Sequence, residues 1–162
     1  MMGPNGSGEP AVERQKIIEW TDEEILARLN ALYVSERQSV VDYDAHMMAI
    51  DDLSLRLGLE MLRDRAQDHA LQLAARIREL GGEPSGRLVG VQPAGSTPAR
   101  MLAFDLGEKQ RRAGQYLELL LGIIEDARTA KLVTQLLLEE LQHLQWLKSA
   151  WLAARQRANE KA

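Results

Sequence analysis

Ionisable side chains recur near the middle of otherwise apolar helical stripes in this sequence. Four separate segments contribute them, namely Glu36, His69, Lys109 and the pair Glu140 and His143. Charged groups are rarely buried without partners, so segments that offer them at similar height predict that these side chains meet. Carboxylate and imidazole groups bind iron, manganese and zinc, and Glu140 and His143 share one helix face. The pattern predicts one shared polar site with the chemistry of a metal centre.

The third stripe allows two registers at this site. Its apolar positions run from Leu102 to Tyr116 and place Lys109 on the inward face. A register shifted by one residue would place Glu108, instead of Lys109, on the inward face. We expect Lys109 to face the interior, since Glu108 falls with Asp105 and Arg112 on the polar side of the helix.

Each of these residues also has a structural interpretation. A lone Glu or His on a helix more often lies half-solvated at the edge of a stripe than it binds a ligand. Tyr43, Tyr116 and Trp146 are expected to pack in the core with their polar tips hydrogen-bonded. Asp42 is expected at the solvated surface, and His46, one position off the inward track, is expected to be structural. Two of the three histidines nevertheless fall on inward tracks, which favours the shared site.

Four long helices are predicted to position these side chains. Thr21 with Glu24 forms a capping box, and Trp20 with Ile25 forms a hydrophobic staple, so the first helix begins near residue 22. The second helix stops before Gly81, as a glycine C-cap predicts. By periodicity the helices cover about 22–50, 53–80, 98–125 and, after a break at 126–129, 130–155.

A long segment without helical period joins the second and third helices. Residues 81–98 contain five Gly and three Pro. About 16 extended residues at roughly 3.3 Å each span some 50 Å, enough to pass along a 25-residue helix at about 1.5 Å per residue. The predicted fold class is therefore all-α, a four-helix bundle of two helix pairs joined by one long crossover.

Composition narrows the class of protein. The 162 residues hold 20 basic and 24 acidic groups, interspersed, so no basic face is offered to nucleic acid. No apolar run approaches the roughly 20 residues of a membrane span. The sequence contains no Cys, so any metal must be held by carboxylate and imidazole groups. We expect a cytoplasmic protein with a disordered lead-in over 1–18, one helical domain over 19–156 and a C-terminal tail over 157–162.

Three segments carry a resemblance to a known family. They are LNALYVSERQSVVDYDAHM in the first helix, DHALQLAARIRELGGEP in the second and LLLEELQHLQWL in the fourth. Over about residues 25–150 the chain resembles bacterioferritin, which implies the ferritin-like fold and iron handling. In that family a dinuclear iron centre takes Glu from the first and third helices and Glu-x-x-His from the second and fourth.

The resemblance implies metal-ligand roles for four residues of this chain. Glu36 stands at the first-helix ligand, His69 at the second-helix imidazole, and Glu140 with His143 at the fourth-helix pair. Tyr43, seven residues after Glu36, matches an aromatic residue that flanks the family's iron site. It would be the electron donor for residual oxidation of Fe(II) by oxygen.

The chain departs from the family pattern at three positions. Ala66 stands where the second helix should offer Glu, Gln67 replaces the haem-ligating Met, and Lys109 stands where the third helix should offer Glu. Haem is therefore not expected. The chain after the fourth helix is too short for the family's fifth helix, which favours a homodimer over a 24-subunit cage.

Charge defines two competing functions. The four carboxylates and two neutral imidazoles of the family's dinuclear centre carry a charge of −4, which two divalent ions cancel. In this chain Glu36, Glu140 and Lys109 together carry a charge of −1. The first hypothesis is a ferritin-like protein that binds one iron, manganese or zinc ion at the four predicted ligands, with an impaired ferroxidase activity. The second is a metal-free structural or partner-binding module in which Lys109 replaces the metal charge. A ligand-binding bundle that shares only the fold is a third.

Overall fold

The computed structural model describes residues 16–162, and four α-helices account for most of them. They are α1 (Asp22–Ala49), α2 (Leu53–Glu79), α3 (Pro98–Leu121) and α4 (Ala127–Glu160). No strand occurs within 16–162, so the predicted all-α class is confirmed. Over the same residues, no helix combines the length and the apolar character that crossing a membrane requires. Most of the predicted lead-in lies outside the described residues.

Each helix begins at a side chain that caps its first turn. The Thr21 hydroxyl accepts the Glu24 N–H, and the Glu24 carboxylate accepts the Thr21 N–H, as the capping box predicted. The remaining caps are Asp52, Thr97 and Asp126. Because Asp126 is the N-cap of α4, most of the predicted break at 126–129 belongs to that helix. α4 also continues to Glu160, beyond its predicted end.

The crossover runs along α1 on its way to α3. The backbone N–H groups of three crossover residues donate to the side chains of Asn30, Gln38 and Asp42 over 2.8 to 3.0 Å. These acceptors follow one another from the start of α1 towards its end, so the crossover is parallel to α1. Asp42 is consequently buried, and its expected place at the solvated surface is wrong.

The bundle interior consists of two apolar clusters with a polar layer between them. α1 packs on α2 and α3 on α4 as antiparallel pairs. One cluster includes Leu59, Leu102 and Leu147, and the other includes Leu29, Leu73 and Leu136. The middle of every helix supplies buried polar side chains to the layer between the clusters. The layer is therefore shielded from solvent at both ends.

Candidate metal centre

The polar layer brings together side chains from all four helices. Glu36 comes from α1, His69 from α2, Lys109 from α3 and Glu140 from α4, and each is 0% exposed. Lys109 lies in this layer, whereas Glu108 is half-buried and pairs with a neighbouring arginine of α3. Three of the four predicted metal ligands and the predicted charge substitute thus share one buried site.

Lys109 and Glu140 form the shortest ion pair of the layer, with 2.6 Å between Nζ and Oε1. Burial would raise the pKa of Glu140, but the positive charges of Lys109 and Arg112 hold it well below its ordinary value. Burial also lowers the pKa of Lys109, and the carboxylates of Glu140 and Glu36 oppose that effect. The ammonium is thus held directly against a predicted metal ligand.

Arg112 belongs to the same layer, although sequence analysis placed it on the polar side of the helix. It is 1% exposed, its Nε donates to Ser35 Oγ at 3.0 Å, and its Nη2 donates to Ser39 Oγ. Its Nη1 lies 3.5 Å from Glu36 Oε2 and 3.4 Å from Glu140 Oε2. Burial lowers the pKa of Arg112, but these two carboxylates outweigh burial and raise it. The layer therefore contains a second fixed positive charge.

The sequence contained a signal for this arginine. Arg112 lies three residues after the inward lysine, so the two side chains project from neighbouring positions on α3. Ser35 and Ser39, four residues apart on α1, leave space opposite for a large side chain and offer it two hydroxyl acceptors. Tracing apolar positions alone does not detect such a pairing.

A second buried pair lies between α1 and α3. His46 Nδ1 is 2.8 Å from Asp105 Oδ2, and the two residues are 3% and 2% exposed. Burial raises the pKa of the Asp105 carboxyl, and His46 opposes that rise. The expectation that Asp105 lies on the polar side of α3 is therefore wrong. His46 therefore pairs with a residue that is not one of the predicted metal ligands.

His69 is oriented by carboxylates on both of its ring nitrogens. Nδ1 lies 3.2 Å from Glu36 Oε1 and 3.5 Å from Glu140 Oε1, and Nε2 lies 2.9 Å from Glu139 Oε2. Burial would lower the pKa of His69, but the three carboxylates outweigh it and raise the pKa to about 10. The bond from His69 in turn lowers the pKa of Glu139. Sequence analysis did not single out Glu139, because it lies beside the inward stripe.

The two buried phenols differ in their relation to this layer. Tyr116 Oη donates to Glu36 Oε1 at 2.8 Å, whereas Tyr43 belongs to one of the apolar clusters. Burial raises the pKa of both phenols well above the ordinary value. Tyr116 therefore contacts a predicted ligand directly, a role that sequence analysis did not assign to it.

Three side chains of the polar layer could hold a metal ion. Glu36, His69 and Glu140 each offer a ligand atom, and these atoms lie within 4.8 Å of one another. His143 Nδ1 is buried without a hydrogen-bond partner in the described chain, and Glu36 Oε2 has no partner there apart from its ion pair with Arg112. Ala66 contributes no donor atom, and α3 contributes the positive charges of Lys109 and Arg112 rather than a carboxylate.

Comparisons with solved structures show the same fold in several relatives. The bacterioferritin-related protein of Bacteroides fragilis, described as a dodecameric thioferritin, aligns with TM-score 0.76 and 19% identity over 88% of this chain and 92% of that one. The Desulfovibrio desulfuricans bacterioferritin, studied for its di-iron site, aligns with TM-score 0.71 and 22% identity over 83% and 82%. A ferritin-like di-iron carboxylate protein of Bacillus anthracis gives TM-score 0.71 and 21% identity over 80% and 96%.

These neighbours confirm the predicted ferritin-like bundle with its long crossover. A comparison with curated proteins finds no match. The family model for the ferritin-like domain matches residues 26–154. Because this match spans most of the chain, the protein belongs to the ferritin family of ferritin-like domains.

Proposed function

We propose that this chain is a ferritin-like protein that binds a single divalent metal ion between Glu36, His69 and Glu140. The observation that carries the proposal is the convergence of one donor from each of three helices within 4.8 Å. Carboxylate oxygen and imidazole nitrogen suit iron, manganese and zinc. Iron is the first choice, since the related proteins of Desulfovibrio desulfuricans and Bacillus anthracis are described as di-iron proteins.

The surrounding residues support the orientation that ligands of a metal require. Glu139 holds His69 Nε2, which leaves Nδ1 directed at Glu36 and Glu140, and such carboxylate contacts commonly orient metal-ligating histidines. Tyr116 fixes the Glu36 carboxylate through the bond to Oε1. We propose His143, whose Nδ1 lies 3.8 Å from Glu140 Oε1, as a further ligand at the edge of the donor set.

A bound iron ion would supply one-electron redox chemistry, and the phenols would be the electron source for a residual ferroxidase activity. Tyr43 is the donor that the family resemblance implies, and Tyr116 is the phenol in contact with Glu36. The paired oxidation of two irons is not proposed, because Ala66 and Lys109 stand where the family pattern has carboxylates.

One observation favours a second function, a metal-free module. The carboxylates Glu36, Glu139 and Glu140 face an equal number of positive groups, Lys109, Arg112 and protonated His69. Charge in the layer is therefore balanced without a metal. A divalent ion that displaced the His69 proton would still leave one excess positive charge in a low-dielectric interior. In this alternative the bundle is structural or binds a partner protein.

Metal content separates the two functions. The protein is expressed in media supplemented with iron, manganese or zinc, and metal per chain is measured by mass spectrometry. The first function predicts about one ion per chain in the wild type and a large loss in His69→Gln. His46→Gln is the matched control, since His46 is a buried histidine outside the donor set. Absence of metal in every medium, with a melting temperature unaffected by chelator, would leave the metal-free module.

The assembly and location are further proposals. The related Bacteroides fragilis protein is described as dodecameric. For this chain we propose a cytoplasmic homodimer rather than a 24-subunit cage. Light scattering of the purified protein measures its mass, and a mass of 24 chains would refute the dimer.

A further inference from the structure

Two buried cations lie against the carboxylates of the donor set. Lys109 Nζ is 2.6 Å from Glu140 Oε1, and Arg112 Nη1 is 3.4 Å from Glu140 Oε2 and 3.5 Å from Glu36 Oε2. Lys109 is 0% exposed and Arg112 is 1% exposed. Each carboxylate that offers a ligand atom therefore already faces a fixed positive charge.

Solvent screens these two charges poorly. The apolar clusters cover the layer at both ends. Between α1 and α3 the cavity next to Arg112 holds only about 10 Å³, which is room for one water molecule. Asp42 and Asp105 line this cavity, but their carboxylates are bonded to the crossover and to His46. Because buried charges are screened far less than exposed ones, Lys109 and Arg112 act strongly on an ion in the donor set.

The net charge of the layer depends on the ion that it would hold. His69 must lose its extra proton to bind a metal, because neutral imidazole is the ligand form. The carboxylates of Glu36, Glu139 and Glu140 then face two cations, so the protein groups sum to −1. A divalent ion changes this sum to +1 and a trivalent ion changes it to +2. The trivalent state thus adds positive charge to a layer that already has an excess of it.

Tyr116 does not supply a compensating negative charge. Its Oη donates to Glu36 Oε1 at 2.8 Å, a bond that needs the phenolic proton. Burial and the charge of Glu36 raise the pKa of Tyr116 well above its ordinary value. The anionic phenolate, which would stabilise a trivalent ion, is therefore disfavoured.

We propose that Lys109 and Arg112 make the centre select divalent over trivalent metal ions, so that bound iron is held as Fe²⁺. The inference rests on the proposed metal-binding function and adds the oxidation state that the site retains. Transfer of one electron from Fe²⁺ to an external acceptor would leave Fe³⁺ beside both cations, and their charges oppose that step. The residual ferroxidase activity is accordingly limited by the poor stability of its ferric product.

The reduction potential of bound iron tests this selection without any turnover. Protein is loaded with an equimolar amount of Fe²⁺ under argon, and electron paramagnetic resonance measures the ferric fraction during a titration with redox mediators. Arg112→Gln removes a positive charge and should shift the equilibrium towards Fe³⁺ by about tenfold or more, which lowers the potential by about 59 mV or more. Arg112→Lys also loses the serine contacts but keeps the charge, so its equilibrium should stay within about threefold of wild type.

Arg111→Gln is the matched control. It removes the same charge at the preceding position of α3, where the side chain is 49% exposed and pairs with Glu108. Its potential should equal that of wild type, because solvent screens an exposed charge. An Arg112→Gln potential equal to that of Arg111→Gln would overturn the selection. Equal shifts in Arg112→Gln and Arg112→Lys would also overturn it, since they would trace the effect to packing rather than charge.

Wild-type protein provides a measurement that does not depend on the folding of a variant. Zn²⁺ and Ga³⁺ have the same number of electrons and differ in charge. In equilibrium dialysis, with equal free concentrations of the two ions set by a chelator, the chain should retain Zn²⁺. Displacement of Zn²⁺ by Ga³⁺ would overturn the selection and leave metal binding intact. Wild-type protein that binds neither iron nor zinc at equilibrium would overturn the proposed function itself.

Discussion

Lys109 Nζ lies 2.6 Å from Glu140 Oε1, and neither side chain is exposed to solvent. Opposite charges so close in a low-dielectric interior attract strongly, and this attraction offsets part of the hydration free energy that the two groups lose. Removing one partner leaves the other charge buried and uncompensated. The pair thus fastens α3 to α4 at the level where the predicted metal ligands meet.

Replacement of Lys109 should be costly in the metal-free protein. We expect Lys109→Met to lower the free energy of unfolding by about 3–5 kcal/mol, because Glu140 loses its closest counter-charge. Urea denaturation with chelator present measures the change. The adjacent variant Glu108→Gln, which alters a half-buried group, should stay within about 0.5 kcal/mol. A comparable loss in both variants would show that position 109 has no special role.

Arg112 should resist even a conservative replacement. Arg112→Lys keeps the charge but loses the bonds to Ser35 and Ser39, so we expect a loss of about 1–3 kcal/mol in unfolding free energy. Arg112→Met should cost more, since it also removes the charge. The neighbouring Arg111→Met, at an exposed position, provides the reference. Tolerance of Arg112→Lys at the level of Arg111→Met would contradict the geometry described.

Stability should decline at alkaline pH through His69. Its pKa is raised from an ordinary 6.5 to about 10 in the folded chain, so the protonated form stabilises the fold. This contribution is fully present below pH 6.5 and is lost as pH rises towards 10. It amounts to as much as about 5 kcal/mol.

The measurement compares wild type with His69→Gln in chelator at pH 6 and at about pH 9.5. The difference in unfolding free energy between the two proteins should shrink at the higher pH. Subtraction removes the effects of other titrating groups that both proteins share. A difference that stays constant between the two pH values would mean that His69 is neutral in the folded protein.

Two helical glycines should respond oppositely to the same substitution. A Cβ at Gly58 would lie 1.9 Å from Trp146 Cζ2, whereas a Cβ at Gly107 would meet nothing within 4 Å. Gly58→Ala should therefore destabilise the protein by about 1–3 kcal/mol. Gly107→Ala should stabilise it by about 0.5–1 kcal/mol through helix propensity. Thermal denaturation gives both signs, and stabilisation by both variants would refute the close packing at Gly58.

The helices and the inward lysine could be predicted because local rules determine them. The capping box at Thr21 defines the start of α1, and the apolar spacing of α3 points Lys109 inward. These features depend on residues a few positions apart. A sequence displays such spacing directly, and the bundle topology follows from the length of the crossover.

The missed members of the interior depend on partners far away in the chain. Asp42 is buried because the crossover backbone lies against it, and Arg112 is buried because Ser35 and Ser39 accept its N–H groups. Glu139 matters because it reaches the outer nitrogen of His69 from α4. Helical periodicity within one segment contains no information about these tertiary contacts.

The polar layer also restricts how the two helix pairs can dock. Its contacts between the pairs include His69 with Glu139, Arg112 with Ser35, and Tyr116 with Glu36. Sliding α3 and α4 by one helical turn, about 5.4 Å, would break all of them at once and strand several buried polar groups. Apolar packing alone would penalise such a slip far less, because one leucine can replace another. The polar layer therefore favours one register of the two helix pairs over the others, whether or not it holds a metal.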